Sequence, residues 1–238
     1  MKISSAGLKF SDMESKRITI FAGHYGSGKT NIAVNYALRL REDYDKVSIA
    51  DLDIVNPYFR TKDSEKILAE KGIRLISSEY ANSNVDVPAL PAEAYSIIDD
   101  LSVRAVIDVG GDDRGALALG RYTPSIIEQN DYEHLLVINK YRPLTPDCAS
   151  TIEVMREIEI ACGMKFTGIV NNSNLGDETT AEDVISSIGY AEEISKSSSL
   201  PIRMTTVKED LYDTLKEKVV NCTPIKLYVK QSWSRATD

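Results

Sequence analysis

The chain carries the sequence RITIFAGHYGSGKT at residues 17–30. Its first six residues are rich in β-branched and aromatic side chains, which predicts a buried strand over 17–22. The next eight match the pattern G-x-x-x-x-G-K-[ST] of a phosphate-binding loop, and they are Gly23-His24-Tyr25-Gly26-Ser27-Gly28-Lys29-Thr30. Apolar residues at helical spacing follow the loop, namely Ile32, Tyr36, Ala37 and Leu40. A strand, a loop and a helix in this order predict an α/β fold built around a phosphate site.

Each residue type in this loop predicts a contact with a bound nucleotide. Glycines let successive backbone N–H groups turn toward phosphate oxygens, and the following helix adds the positive end of its dipole. Lys29 is predicted to reach the β- and γ-phosphates and to assist catalysis there, and Thr30 to place its hydroxyl on Mg²⁺. A glycine-rich turn with an exposed lysine is the alternative interpretation.

Carboxylates follow two other predicted strands. Asp51 and Asp53 end the second strand and Asp108 ends the fourth. In a parallel sheet both strand ends face the edge where ligands bind, so Asp51 and Asp108 are the predicted metal-site residues, with Asp108 holding Mg²⁺ through water. Asp53 would lie nearer the γ-phosphate and is the predicted residue that positions the attacking water. The alternatives are an aspartate that caps a turn and a carboxylate in a solvated loop.

Two segments beside these carboxylates are predicted switches. Gly110 and Gly111 follow the fourth strand, and a backbone N–H there would sense the γ-phosphate, which makes 110–115 a candidate switch loop. The segment 56–63, NPYFRTKD, mixes aromatic and cationic residues and is a candidate partner-binding surface. Its Arg60 is the candidate for a charge-stabilising finger.

Short apolar runs alternate with amphipathic helical segments along the chain, which is typical of βα units and a mostly parallel sheet. We expect a three-layer P-loop NTPase fold of about seven strands. The predicted strands cover residues 17–22, 47–51, 73–76, 105–109, 134–139, 166–171 and 202–207, with a further edge strand at 225–229. The hydroxyls of Thr145 and Thr180 are predicted helix caps, and the serine-rich stretch 195–199 is a predicted loop.

Length and composition limit the classes of protein to consider. A chain of 238 residues can form one α/β domain over 1–238, for which we expect an N-terminal extension at 1–16 and a frayed tail at 231–238. A net charge of −8 argues against general nucleic-acid binding. No apolar run is long enough for a signal peptide or a membrane span, so we expect a cytoplasmic protein. The three cysteines form no C-x-x-C pair and are expected to be buried.

The phosphate-binding loop, the D-x-D pair and the DVGG run at 108–111 together resemble those of the MinD/ParA branch of the SIMIBI class of P-loop ATPases. That branch includes nucleotide-binding domains of cobyrinate synthases and dethiobiotin synthetases, and the resemblance covers nearly all of the chain. It implies that Asp53, the second aspartate of D-x-D, is tied to hydrolysis. It also implies that an asparagine ending a late strand contacts adenine, and Asn171 or Asn172 occupies that place.

Two departures from this family bear on partners. His24 replaces the signature lysine that reaches across a nucleotide-sandwiched dimer, which argues against ATP-driven dimerisation of that kind. The last cations, Lys226, Lys230 and Arg235, do not form a basic amphipathic helix like the one that anchors MinD to membranes. The resemblance still implies a protein partner or a homodimer, and the second departure leads us to expect no membrane anchor.

The expected function is a slow Mg²⁺-dependent ATPase that acts as a molecular switch. Asn139-Lys140-Tyr141-Arg142 begins like a guanine-binding motif but lacks its aspartate at the fourth position, so ATP is expected over GTP. One alternative is an ATP-dependent kinase or ligase for a small acid, with an acceptor pocket at 56–63 and 77–91. Another is a nucleotide-binding interaction module without turnover.

Overall fold

Strands and helices alternate through residues 15–52, 62–77, 93–111 and 113–228, which are the residues that the computed structural model describes. The strands are β1 (Ile18–Ala22), β2 (Val47–Asp51), β3 (Arg74–Ile76), β4 (Arg104–Asp108), β5 (Tyr132–Ile138), β6 (Gly168–Asn171), β7 (Ile202–Lys208) and β8 (Cys222–Ile225). The helices are α1 (Lys29–Asp43), α2 (Lys62–Glu70), α3 (Glu93–Asp99), α4 (Asp113–Gly120), α5 (Thr123–Gln129), α6 (Cys148–Cys162), α7 (Ala181–Ser186), α8 (Ile188–Ser198) and α9 (Glu209–Leu215). The predicted tail 231–238 and all but the last two residues of the predicted extension 1–16 lie outside the described residues.

The described strands form one eight-stranded sheet in the order β3-β2-β4-β1-β5-β6-β7-β8. Every neighbouring pair is parallel, which confirms the predicted α/β fold. β1 lies between β4 and β5, so the loop after it opens at the middle of the carboxyl edge. The sheet therefore brings the strand ends that carry Asp51 and Asp108 to adjacent positions in the register.

The eighth strand differs from the expected edge strand at 225–229. It ends at Ile225, because the residues after it bond to side chains of α1 rather than to β7. Asn35 Oδ1 accepts a hydrogen bond from the Lys226 amide at 2.9 Å, and Asn31 Oδ1 accepts one from the Tyr228 amide at 2.9 Å. The C-terminal part of the described chain is thus attached to the helix that follows the phosphate-binding loop.

Apolar side chains cover both faces of the sheet, which gives the three layers. One face packs on α1 through the predicted stripe of Ile32, Tyr36, Ala37 and Leu40, all of them buried. The other face packs on α3, α4, α5, α6 and α8. A smaller cluster joins α7 and α9 to β7 and β8. The three cysteines are free and buried, as expected.

Helix ends test three of the sequence predictions. Thr180 caps α7 in a reciprocal capping box with Asp183, as predicted. The cap of α6 is Asp147, which accepts from the Ser150 amide, whereas Thr145 donates its hydroxyl to the Asn139 carbonyl. The predicted loop 195–199 is helical over 195–198, which form the last turn of α8, and the Ser198 hydroxyl there donates to the Ile194 carbonyl.

His134 of β5 is a buried histidine whose ring stacks on Phe166 at 4.0 Å between centroids. Burial lowers the pKa of His134 to about 3, although the Lys165 carbonyl accepts from its Nδ1 at 3.3 Å. The unfolded chain, with an ordinary histidine pKa near 6.5, binds a proton that the folded chain excludes between these values. The free energy of unfolding should therefore fall as the pH falls through this window.

From pH 7.5 to pH 5 we expect His134 to remove about 2 kcal/mol from the free energy of unfolding. Urea unfolding of the wild type and of His134→Phe at both pH values measures this term. The variant should lose clearly less stability on acidification than the wild type. Equal losses in the two proteins would show that His134 is not the residue responsible.

No helix within the described ranges combines the length and hydropathy that crossing a bilayer requires.

Candidate nucleotide-binding site

The loop of residues 23–30 curls between the end of β1 and the start of α1. Gly28 has a left-handed backbone with φ of 90°, and its missing side chain leaves room for the carboxamide of Asn172. Any larger residue at position 28 would be strained and would collide with that amide. The Ser27 amide donates to the His24 carbonyl at 3.1 Å, which closes the turn. The loop therefore has the backbone that its glycines predicted.

Lys29 is almost fully buried at the first position of α1, not exposed as a plain glycine turn would leave it. Its Nζ donates to the His24 carbonyl at 3.1 Å, so the ammonium lies over its own loop. The His24 ring is partly exposed, with Nδ1 3.0 Å from the Tyr25 carbonyl. Tyr25 is 50% exposed on the outside of the loop. The buried cation is thus Lys29, and His24 takes no comparable position.

Thr30 and Asp108 form the part of the site that fits Mg²⁺. The Thr30 hydroxyl donates to Asp108 Oδ2 at 2.6 Å, and both residues are buried. Asp51 is the register partner of Asp108 on the neighbouring strand and is buried too. A hydroxyl beside carboxylates supplies the oxygen ligands that Mg²⁺ prefers. Among the described residues no group of three or more His, Cys, Asp and Glu forms a metal site by itself, so phosphate and water oxygens would complete the shell.

The fit to phosphate is seen in the loop itself. The Ser27 hydroxyl is buried and, within the described part of the chain, has no hydrogen-bond partner. Gly111 lies directly over the loop: a methyl group added to it would lie 2.5 Å from the Tyr25 amide nitrogen and 3.0 Å from Lys29 Nζ. α4 starts at Asp113, so the expected switch loop 110–115 is partly the first turn of that helix. Gly111 thus lies against the phosphate-binding loop, and the sensing of a third phosphate by Gly110 and Gly111 stays a prediction.

Asn171 and Asn172 end β6 but serve different neighbours. Asn171 donates to the Ser187 hydroxyl at 3.0 Å and accepts from Ser173, so its carboxamide faces away from the loop toward the start of α8. Asn172 donates to the Ser27 carbonyl at 2.6 Å and accepts from the Thr206 hydroxyl at 2.6 Å. Both are buried. Only Asn172 touches the phosphate-binding loop, and it ties that loop to β7.

Replacing Asn172 with alanine should loosen the loop as well as any contact with a base. Removal of this buried carboxamide leaves the Ser27 carbonyl without its donor and the Thr206 hydroxyl with only the longer bond to the Asn171 carbonyl, so we expect a loss of about 1–3 kcal/mol of stability without nucleotide. Thermal unfolding of Asn172→Ala and of Asn171→Ala in nucleotide-free protein checks this. If Asn172→Ala unfolds at the same temperature as the wild type, the hydrogen bonds of Asn172 to the loop do not contribute to stability.

The loop between β5 and α6 lies against the phosphate-binding loop. Asn139 is fully buried and its Oδ1 accepts from the amides of Tyr141 and Asn174, so its side chain braces two loops. The Arg142 side chain lies against Gly26 of the phosphate-binding loop. The incomplete guanine motif had drawn attention to Asn139 and Arg142, but no spacing rule predicted their contacts.

Several predicted residues cannot be placed by this structure. Asp53, Arg60 and most of the segments 56–63 and 77–91 lie outside the described residues. Their roles in positioning water, stabilising charge and binding an acceptor therefore stay predictions.

Comparison with known proteins finds no match to a protein-family model and none to a curated protein. Solved structures do match. Signal recognition particle 54 kDa protein from Aeropyrum pernix K1, in complex with GDP, has a TM-score of 0.54 and 17% identity over 81% of this chain and 41% of that one. Cell division protein FtsY from Thermotoga maritima has a TM-score of 0.51 and 22% identity over 83% of this chain and 64% of that one.

Chloroplast FtsY from Physcomitrella patens is similar in fold as well, with a TM-score of 0.51 and 17% identity over 87% of this chain and 63% of that one. The chain spans less than two thirds of the length of each of these proteins. None of the comparisons singles out the MinD/ParA branch, which stays a hypothesis. What they show is the shared fold: a three-layer α/β fold with a parallel sheet flanked by helices.

Proposed function

We propose that this chain binds a nucleoside triphosphate with Mg²⁺ and hydrolyses it slowly, as a molecular switch. The observation that carries the proposal is the hydrogen bond between Thr30 and Asp108 beside the buried ammonium of Lys29. A strand-end carboxylate, a loop hydroxyl and a loop lysine in contact with one turn of backbone form a phosphate and magnesium site. A turn with a purely structural role does not require a carboxylate, a hydroxyl and a buried lysine at the same place.

In this proposal Lys29 and the loop amides hold the phosphates, while Thr30, Asp51 and Asp108 hold Mg²⁺ directly or through water. Mg²⁺ held by these residues would supply positive charge beside the phosphates. Asp53 is the proposed residue that orients the attacking water. Gly110 and Gly111 would respond to the third phosphate, because Gly111 already touches the loop. A protein partner or a second copy of the chain would bind when these segments are ordered, with Tyr25 exposed for contact.

ATP is the proposed nucleotide, together with Mg²⁺. The fourth position of the N-K-Y-R run is Arg142, so the carboxylate that would pair with guanine is missing there. The Asn139 side-chain oxygen already accepts hydrogen bonds from backbone amides of two loops. GTP is the second candidate, because the Aeropyrum pernix protein with the same fold is in complex with GDP.

Phosphate release from Mg-ATP and from Mg-GTP tests the proposal. We expect slow turnover of one nucleotide by the wild type and its loss in Asp53→Ala. Unchanged turnover in that variant would remove Asp53 as the water-positioning group. ADP release that a small carboxylic acid stimulates would instead favour the kinase or ligase, and tight binding with no turnover would favour the interaction module.

A further inference from the structure

Arg142 stands beside the phosphate-binding loop on a backbone that is itself held in place. Its amide donates to the Asn139 carbonyl at 3.2 Å, and its carbonyl accepts from the Thr145 amide at 3.1 Å. A methyl group added to Gly26 would lie 3.4 Å from Arg142 Nε and 3.6 Å from Cζ. The guanidinium therefore packs against Gly26, and the absence of a side chain on this glycine leaves room for the guanidinium.

This guanidinium has no anion to balance it in the part of the chain that the structure describes. It makes no hydrogen bond and no ion pair with a described residue, and its Nε is buried without an acceptor. Burial lowers the pKa of Arg142, with an opposing contribution from Tyr25. Other buried or half-buried arginines here do have partners: Arg17 donates to the carbonyls that end α3, and Arg203 pairs with Glu133. An unpaired, partly desolvated cation is unfavourable unless a ligand supplies the negative charge.

We propose that Arg142 binds a phosphate oxygen of the nucleotide held by residues 23–30. The inference rests on the proposed function and extends it to a residue outside the loop. A guanidinium presents a planar fork of donors that matches phosphate oxygens, and it stays charged at any physiological pH. Lys29 and Arg142 would then contribute two cations from different elements, α1 and the β5–α6 loop.

The test compares Arg142→Gln, Arg142→Lys and the control Arg156→Gln, which removes an exposed charge from α6. Calorimetric titration with Mg-ATP and Mg-GTP should show a dissociation constant about 10- to 100-fold higher for Arg142→Gln, the range of a charge-assisted hydrogen bond. Arg142→Lys keeps the charge but not the fork and should retain part of the affinity, and Arg156→Gln should match the wild type. Equal losses in Arg142→Gln and Arg142→Lys would mean that the side chain only packs the loop, and wild-type affinity in Arg142→Gln would overturn the proposal.

A second measurement does not depend on a variant folding. Phenylglyoxal labelling of wild-type arginines, read by mass spectrometry, should modify Arg142 in free protein and spare it when Mg-nucleotide is bound. Arg156 should react equally in both states. Unchanged labelling of Arg142 would overturn the inference while the proposed function stands, whereas a wild type that binds neither nucleotide would overturn both.

Discussion

Lys29→Ala should weaken the binding of Mg-ATP by about 100-fold or more, because charge-assisted hydrogen bonds to phosphate are worth about 1.5–3 kcal/mol each and Lys29 would make more than one in the proposed site. The ammonium is buried against the His24 carbonyl, where alanine offers no donor. Isothermal titration of the wild type and the variant measures the change.

Lys46→Ala is the matched control for this variant. Lys46 precedes β2 at the opposite edge of the sheet, where its Nζ donates to the Ser102 hydroxyl. The Lys46→Ala variant should bind Mg-ATP with the affinity of the wild type. If Lys29→Ala binds with wild-type affinity while both variants remain folded, the loop of residues 23–30 is not the phosphate site.

Asp108→Asn should reduce nucleotide turnover by about 100- to 1,000-fold, the loss typical of removing one group that stabilises charge in a transition state. The amide keeps the shape of the side chain and an oxygen that accepts from Thr30, so the fold should survive. What it loses is the negative charge that would attract Mg²⁺. Phosphate release measured over a range of Mg²⁺ concentrations should show both a lower rate and a weaker response to the metal.

Asp100→Asn provides the comparison for Asp108→Asn. Asp100 caps a turn with Ser102 at the far edge of the sheet, where hydrogen bonds from Ser102 lower the pKa of its carboxyl. The turnover of Asp100→Asn and its response to Mg²⁺ should equal those of the wild type. A turnover of Asp108→Asn that stays near the wild-type rate would place the metal site elsewhere.

Local pattern was sufficient to predict the fold. Apolar runs at β1, β2 and β5 needed no long-range information, since strands covered by helices on both faces are apolar at successive positions. The loop of residues 23–30 was equally readable, because its glycines are required by backbone geometry rather than by a distant contact. The parallel sheet then brings Asp51 and Asp108 together from strands far apart in the sequence.

Contacts between distant segments were not predictable from these patterns. Asn171 and Asn172 were singled out as candidates to contact a base, which stays a prediction, but nothing in the sequence predicted that Asn172 bonds Ser27, a residue far away along the chain. The strand over 225–229 failed because Asn31 and Asn35 of α1 take the backbone groups that a strand would use. In the sequence, Arg142 is notable only because it replaces the aspartate of a guanine-binding motif. Its packing against Gly26 depends on the contact between two loops. The periodicity of apolar residues does not predict contacts between loops.

The most direct test of the account is isothermal titration of the wild-type protein with ATP and with GTP in the presence of Mg²⁺. We expect saturable binding of one nucleotide per chain, tighter for ATP than for GTP, and weaker when Mg²⁺ is withdrawn. Tighter binding of GTP would show that guanine is the preferred base, and the proposed phosphate and magnesium site would stand. Absence of binding for both nucleotides, in protein shown to be folded, would contradict the central claim.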